Sequence, residues 1–206
     1  MIPPGDFLDV FEEDGLIRTL DEYVFREVCA LHKKRMEKNQ PPIPISVNIS
    51  RKTLFAPGIV DIYKSIAESY GVETKYIPIE ITESLALANK KIKPIADSFI
   101  SAGFELQMDD FGSGESALNG LNMMHFTVVK LDKSLIDFIG QKNGDLILNY
   151  AMALGKELGV QLVAEGVENI NQLAFLRKNN CDVIQGYYFS KPLPLDEFEA
   201  KIDSNL

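Results

Sequence analysis

The sequence predicts an α/β fold in which short parallel strands alternate with helices. Six stretches are interpreted as strands, because aliphatic side chains recur at every second position and so share one face. Each stretch also carries a carboxylate, an amide or a lysine at the opposite parity. Parallel strands are normally apolar on both faces, since helices or a packed interior cover both. Polar groups on the hidden face of so many strands therefore indicate one shared functional site.

The strand candidates are short and are separated by helical segments. They cover residues 45–49, 79–81, 104–109, 129–132, 162–165 and 184–186. Thr19 and Glu22 match a capping-box signature at the start of a first helix that reaches Leu31. Further helices are predicted over residues 59–66, 92–100, 146–158 and 173–176. The first three of these are followed by a glycine, the residue that most often ends a helix.

A polar residue at each strand favours a (β/α) barrel over a doubly wound sheet. A barrel directs the carboxyl ends of all its strands to one site. A complete barrel has eight strands and typically about 250 residues, whereas this chain has 206 residues and six strand candidates. We therefore expect a single barrel-type domain over residues 1–206 with about six of the eight strands present.

Composition limits the classes of function. The net charge of −9 at pH 7 argues against a surface for duplex nucleic acid, because such surfaces use lysine and arginine to neutralise phosphates. A small phosphate-containing ligand stays compatible with this charge, since metal ions can bridge acidic residues and an anion.

The sequence has no long apolar run, so we expect no membrane span. Cys29 and Cys181 fit thiols buried in a reducing cytoplasm, and His32 is interpreted as solvated.

Asp109 and Asp110 are adjacent carboxylates at the end of a strand, followed by a loop that contains glycine. Neighbours on a regular strand point to opposite faces, so both reach one site only where the strand gives way to a loop. Such a pair suits two divalent cations, with one aspartate bridging them. The alternative is that an aspartate only caps the following turn.

Other strand residues allow a structural and a functional interpretation. Glu80 is a carboxylate between two isoleucines that needs a cation, a metal or a hydrogen-bond donor. Glu83 is equally compatible with a helix cap, and Asn48 taken alone is typical of a residue that satisfies backbone groups. Lys130 is either an ion-pair partner of Asp132 or a catalytic cation.

Two later motifs complete the series. Glu165 ends a strand, and the Gly166 that follows it leaves room for a ligand. Gln185 belongs to the final strand candidate, which passes into a loop containing prolines. The aromatic residues at 187–189 are more typical of a core than of a platform for stacked bases.

Taken together, these motifs resemble the motif series of the EAL family of cyclic di-GMP phosphodiesterases. The matching segments are Val47-Asn48-Ile49-Ser50, Glu80-Ile81-Thr82-Glu83-Ser84, Asp109-Asp110-Phe111-Gly112-Ser113-Gly114, Lys130-Leu131-Asp132, Val163-Ala164-Glu165-Gly166-Val167-Glu168 and Gln185-Gly186-Tyr187. The resemblance extends from about Pro3 to Phe198, nearly the whole chain. It implies a variant (β/α)8 barrel with two Mg²⁺ or Mn²⁺ ions, and hydrolysis of one phosphodiester bond of cyclic di-GMP to give linear pGpG.

The resemblance also implies which residues bind the metals. Asn48, Glu80 and Asp109 match the ligands of one metal. Asp109, Asp110 and Glu165 match the ligands of the other. Asp110 and Glu165 are therefore catalytic candidates as well as metal ligands.

The remaining residues take supporting roles in the same resemblance. Lys130 matches the catalytic residue that positions the attacking water, and Gln185 matches one that supports this site. Asp132 and Glu168 match residues that contact the substrate or lie behind the ligands. Glu83 matches the glutamate that steadies the loop with the two aspartates.

The chain also departs from the family pattern. The Glu-Ala-Leu sequence that names the family is absent from the 206 residues, and Pro3-Pro4-Gly5 resembles the loop just after it. The resemblance implies that two strands, a metal-binding glutamate and a phosphate-contacting arginine come before this loop, so we expect an amino-terminally truncated domain. Glu115 stands where the family usually has tyrosine. We expect impaired catalysis from this chain alone and, because of open sheet edges, a homo-oligomer or a strand-exchanged assembly.

Three functions compete on these observations. The first is a metal-dependent cyclic di-GMP phosphodiesterase, which the matching metal ligands and Lys130 favour. The second is a binding or regulatory module of the same family without turnover, which the missing glutamate favours. An unrelated barrel enzyme for phosphosugars would need a glycine-rich phosphate loop after a late strand, and residues 190–192 do not supply one.

Overall fold

The computed structural model describes residues 3–88, 91–113 and 124–204. They fall into two compact units, of which the first ends at Val128 and the second begins at Val129. The single-domain organisation expected from the sequence stays a prediction. Glu115 lies outside the described residues.

The first unit combines a parallel sheet with a layer of helices. Its strands are β1 (Val47–Asn48), β2 (Ile79–Thr82) and β3 (Leu106–Phe111). Its helical segments are a 3-10 turn at Pro4–Asp6, α1 (Leu8–Glu13), α2 (Ile17–Glu37), α3 (Arg51–Leu54), α4 (Ile59–Tyr70), a 3-10 turn at Thr74–Tyr76, α5 (Glu83–Ala88) and α6 (Ile92–Ser101). The strands lie in the order β1-β2-β3, each parallel to the next.

Aromatic packing holds the helices of the first unit together. The ring of Phe25 on α2 lies 4.3 Å from that of Tyr63 on α4. Phe99 on α6 meets Phe104 edge-on at 5.4 Å, just before β3. All four side chains are buried. Aromatic pairs at such distances add to the free energy of burial, so this cluster holds α2, α4 and α6 against the segment that leads into β3.

The second unit is a smaller α/β arrangement. Its elements are β4 (Val128–Leu131), α7 (Lys133–Ile136), α8 (Lys142–Leu158), β5 (Gln161–Ala164), α9 (Ile170–Lys178), β6 (Val183–Ile184) and α10 (Leu195–Asp203). The Glu165 amide donates to the Leu131 carbonyl at 3.1 Å and the Gln185 amide to the Ala164 carbonyl at 2.8 Å, which links β4, β5 and β6 in that order. Helix α8 packs closely on β5, because a Cβ at Gly155 would lie 2.7 Å from the Leu162 side chain.

The structure confirms the strand predictions. The described residues form six strands, and each overlaps one of the six candidates. The predicted helix ends at Gly71 and Gly159 are also confirmed, since both glycines are left-handed C-caps with φ of +73° and +69°. In the part of the chain that the structure covers, no helix is both long enough and apolar enough to cross a membrane.

Three expectations are wrong. Helix α2 begins at Ile17, so Thr19 lies inside it and does not cap it. His32 is buried rather than solvated, and this burial lowers its pKa. The aromatic residues expected in a core are exposed, Tyr187 by 55%, Tyr188 by 42% and Phe189 by 47%. They follow β6, which is only two residues long, and they lie in the turn after it.

Candidate functional site

In the first unit, the predicted polar residues share one face of the sheet. Asn48 is the register partner of Glu80, and Thr82 is the partner of Asp109. Register partners on parallel strands point to the same side, and Glu80 and Thr82 have the same parity. Glu80 and Asp109 are both buried. The sequence alternation therefore brings Asn48, Glu80 and Asp109 to neighbouring positions on one face.

Asp110 shows how two adjacent aspartates depart from strand alternation. Its φ is +57° although it lies within β3. The left-handed conformation is unfavourable for most residues, and aspartate tolerates it better than most. The Asp110 amide also donates to Oδ1 of Asp109 at 3.0 Å. The left-handed backbone at Asp110 thus ends the regular alternation of side chains between the two faces of β3. This is where such a break was expected, because adjacent aspartates can reach one site only where the strand gives way to a loop.

Glu83 connects the start of α5 to the loop after the aspartates. Its buried carboxylate oxygen Oε2 accepts a hydrogen bond from the Gly112 amide at 3.0 Å. A backbone amide that loses such a partner in a buried place is costly. Glu83 thus holds the backbone just beyond Asp110, rather than serving only the helix in which it lies.

In the second unit, Lys130 and Glu165 form a close ion pair. Lys130 Nζ lies 2.8 Å from Glu165 Oε1, and their side chains are 7% and 18% exposed. Asp132, the alternative partner considered from the sequence, caps α7 instead, with Oδ1 accepting from the Ser134 amide at 2.9 Å. Lys130 therefore faces a residue from the neighbouring strand end.

A cleft of about 290 Å³ opens beside this pair within the second unit. It is lined by Asp132, Lys133, Glu165, Gly166, Glu168, Gln185, Gly186 and Tyr187. Four residues singled out from the sequence thus meet around one cleft. They come from positions directly after β4, β5 and β6 and from the loop that follows β5.

Lys133 supplies a positive charge at the rim of the cleft. Its Nζ lies 2.9 Å from Asp137 and 3.3 Å from Glu168. The hydrogen bond to Asp137 and, to a smaller extent, the one to Glu168 raise the pKa of Lys133. A Cβ at Gly166 would lie 2.5 Å from the Lys133 side chain. Gly166 therefore leaves room for the Lys133 side chain, and the expectation that it also leaves room for a ligand stays a prediction.

The donor atoms of the first unit suit a hard divalent cation in kind. Carboxylate and amide oxygens are the ligands that Mg²⁺, Mn²⁺ and Ca²⁺ prefer. Within the described residues, no three histidine, cysteine or carboxylate side chains converge as a metal site by themselves. That observation covers the all-carboxylate set of Asp109, Asp110 and Glu165, which stays a prediction, whereas the set at β1–β3 includes the amide of Asn48.

Sequence reasoning missed two supporting contacts. Ser46 Oγ donates to Glu80 Oε1 at 2.5 Å, and the only signal was that Ser46 shares the parity of Asn48. Asp21 of α2 accepts from the Ser50 amide at 3.0 Å and from Thr53 Oγ1 at 2.5 Å, which anchors the segment after Asn48. No local pattern predicts this second contact, because its partners are about thirty residues apart.

The EAL domain family model matches residues 1–192. This chain belongs to the EAL domain family. It is 33% identical over 205 residues to the cyclic di-GMP phosphodiesterase NbdA of Pseudomonas aeruginosa, covering 97% of this chain and 26% of that protein. It is 32% identical over 201 residues to the cyclic di-GMP phosphodiesterase PdeR of Escherichia coli, covering 97% and 30%. The EAL chain thus spans between a quarter and a third of the length of these relatives.

Solved EAL structures share the fold. The phosphodiesterase PaMucR in complex with c-di-GMP superposes with a TM-score of 0.89 at 29% identity, covering 96% of this chain and 81% of that one. The EAL domain of DcpA from Mycobacterium smegmatis gives 0.84 at 27% identity, covering 90% and 84%. The predicted fold class, an α/β barrel of the EAL type, is confirmed.

Proposed function

We propose that this EAL chain carries the catalytic residues for hydrolysis of cyclic di-GMP to linear pGpG with two divalent cations, Mg²⁺ or Mn²⁺. The placement of the polar residues carries the proposal. Asn48 closes β1, and Asp132, Glu165 and Gln185 directly follow β4, β5 and β6. In an α/β barrel, the carboxyl ends of the strands form the active site. The relatives named as cyclic di-GMP phosphodiesterases support the same substrate.

The proposed metal ligands follow the family motifs residue by residue. Asn48, Glu80 and Asp109 are assigned to one cation, and Asp109, Asp110 and Glu165 to the other. When bound, two such ions lower the pKa of a water molecule and offset charge on the phosphate oxygens. The hydrogen bonds of the buried residues Glu80 and Asp109 support the assignment, because ligands that are already held in place lose little freedom on binding.

Lys130 is assigned to the attacking water. The family motif that Lys130 matches supports this role, and Lys130 Nζ lies 2.8 Å from Glu165, a proposed metal ligand. The water oxygen bonds to phosphorus, the bond from phosphorus to the ribose 3′ oxygen breaks, and the water proton ends on that oxygen. One phosphodiester thereby becomes a phosphomonoester and a 3′ hydroxyl, which opens the ring.

The cleft of the second unit is assigned to the substrate. Gln185, Asp132 and Glu168 line it and offer amide and carboxylate groups to a nucleotide. In the first unit, Glu83 is assigned to steady the loop after Asp110 through its hydrogen bond to Gly112.

A second candidate is a cyclic di-GMP-binding module without turnover. The observation that favours it is that no Glu-Ala-Leu sequence occurs in the 206 residues. A metal site that lacks one carboxylate loses both charge and geometry, and placement of the attacking water depends on both. We therefore propose that the 206-residue chain by itself hydrolyses cyclic di-GMP very slowly or not at all and binds it weakly.

The test compares two proteins, the 206-residue chain and a longer form that also carries a Glu-Ala-Leu strand. Each is incubated with cyclic di-GMP and Mg²⁺ or Mn²⁺, and pGpG is followed by chromatography. We expect robust turnover only from the longer form, and its Lys130→Ala variant loses about 100-fold or more while still binding metal. If the longer form binds cyclic di-GMP but does not hydrolyse it, the second candidate, a binding module without turnover, is correct. Robust turnover by the 206-residue chain contradicts the proposed impairment.

We also propose that the isolated chain self-associates. Val183 on β6 is 40% exposed and is followed closely by three exposed aromatic residues. Exposed apolar strands and patches favour pairing with another chain. Light scattering over a range of concentrations tests this, and a monodisperse monomer at high concentration contradicts it.

A further inference from the structure

Ser46 makes a short hydrogen bond to one oxygen of a proposed metal ligand. The residue lies directly before Val47, where β1 begins, and its hydroxyl donates to Oε1 of Glu80 on β2 at 2.5 Å. Glu80 is 5% exposed. A short hydrogen bond to a buried carboxylate is stronger than one between neutral groups, so it fixes the orientation of that carboxylate.

The hydrogen bond limits how Glu80 can meet a cation. A carboxylate binds through one oxygen or through both, and the second mode would require Oε1 to leave the Ser46 hydroxyl. Mg²⁺ demands near-ideal octahedral geometry with short bonds, whereas Ca²⁺ takes more ligands and often grips both oxygens of a carboxylate. A glutamate held at Oε1 therefore suits the smaller ion.

We infer that Ser46 is a positioning residue that restricts Glu80 to one-oxygen coordination and thereby makes the site prefer Mg²⁺ to Ca²⁺. This inference rests on the proposed metal site at Asn48, Glu80 and Asp109. It adds a residue outside the family motifs and assigns it a part in metal selectivity.

The experiment measures binding of Mg²⁺ and of Ca²⁺ by isothermal titration calorimetry, each with the metal alone and with the longer form of the chain that also carries a Glu-Ala-Leu strand. The variants are Ser46→Ala, which removes the hydroxyl, and Ser46→Thr, which keeps it. Ser101→Ala is the matched control, because the Ser101 hydroxyl donates to a backbone carbonyl on the exposed face of α6. We expect Ser46→Ala to shift the ratio of the two dissociation constants towards Ca²⁺ by about tenfold. Ser46→Thr and Ser101→Ala keep the ratio of the unmodified chain.

Each outcome decides the inference. A general loss of packing in Ser46→Ala would weaken the binding of both ions equally and leave the ratio of their dissociation constants unchanged. An unchanged ratio therefore overturns the inference. A Ser46→Thr variant that behaves like Ser46→Ala overturns it as well. If Ser46→Ala does not fold, Ser46→Cys replaces it in the comparison, because cysteine has nearly the size of serine but a much weaker hydrogen-bond donor. The same shift in the ratio of dissociation constants is then expected. If Glu80→Gln binds both ions as the unmodified chain does, or the unmodified chain binds neither, the proposed metal site itself is wrong and the inference falls with it.

Discussion

The two units hold their functional carboxylates in different ways. In the first unit, Glu80 accepts from a hydroxyl, and Glu83 and Asp109 accept from backbone amides. In the second unit, Glu165 and Glu168 lie against lysine ammonium groups. A neutral donor orients a carboxylate, whereas a lysine orients it and also offsets its charge.

This difference indicates a division of labour. Hydroxyl and amide donors orient Glu80 and Asp109 in the first unit, which fits their proposed metal binding. In the second unit, Lys130 orients Glu165, another proposed ligand, and Glu165 in turn holds the ammonium group in place, which fits the handling of water and phosphate. Variants that alter one unit at a time test this difference between the two units.

The largest stability effect is expected at the buried pair of the second unit. Lys130→Met removes the ammonium 2.8 Å from Glu165 and leaves a carboxylate in a low-dielectric setting, at a cost of about 3 kcal/mol. Urea denaturation measures the change in unfolding free energy. The double variant with Glu165→Gln should recover much of the loss, and a single variant as stable as the unmodified chain would show that the pair is not coupled.

The next effect is expected at Glu83 in the first unit. Glu83→Ala deprives the partly buried Gly112 amide of its acceptor and costs about 2 kcal/mol. Glu83→Gln retains a carbonyl acceptor and should cost clearly less. Equal losses from the two variants would mean that the charge, rather than the hydrogen bond, matters at this position.

A smaller effect is expected where the backbone is left-handed. Asp110→Ala places alanine at φ +57° and should be less stable than Asp110→Asn by about 1 kcal/mol. Both variants should lose metal binding to a similar extent, as measured by calorimetry. If alanine and asparagine prove equally stable, the positive φ carries no strain.

The smallest effect is expected at the exposed pair of the second unit. Lys133 and Glu168 are 44% and 46% exposed, and such pairs contribute less than about 0.5 kcal/mol. Glu168→Gln should therefore leave the denaturation midpoint almost unchanged, in contrast to Lys130→Met. A large shift would place Glu168 among the structural residues and remove it from the cleft assignment.

The regular parts of the fold were predictable because they obey local rules. Alternation with period two marked all six strands, and glycine marked the ends of α4 and α8. The short helices α3, α5 and α7, of four to six residues, were not predicted. They carry too few residues for a helical period to emerge.

The site was predictable in its residue types but not in its contacts. Strand parity singled out Glu80 and Asp109, and the structure places them on one face. The partners of Ser46 and Asp21 come from distant segments, so no local pattern shows them. Likewise, the choice of Glu165 over Asp132 as a partner of Lys130 depends on how neighbouring strands pair.

The left-handed backbone at Asp110 also bears on how such a protein can change over generations. An aspartate codon becomes an asparagine or a glycine codon through a single nucleotide change, and both residues accept this conformation readily. A carboxylate in the proposed metal site can thus disappear in one genetic step without backbone strain at this position. Replacement of Lys130 breaks a buried ion pair, so lineages that lose catalysis while keeping the fold are expected to lose it at Asp110, through asparagine or glycine, before they lose it at Lys130.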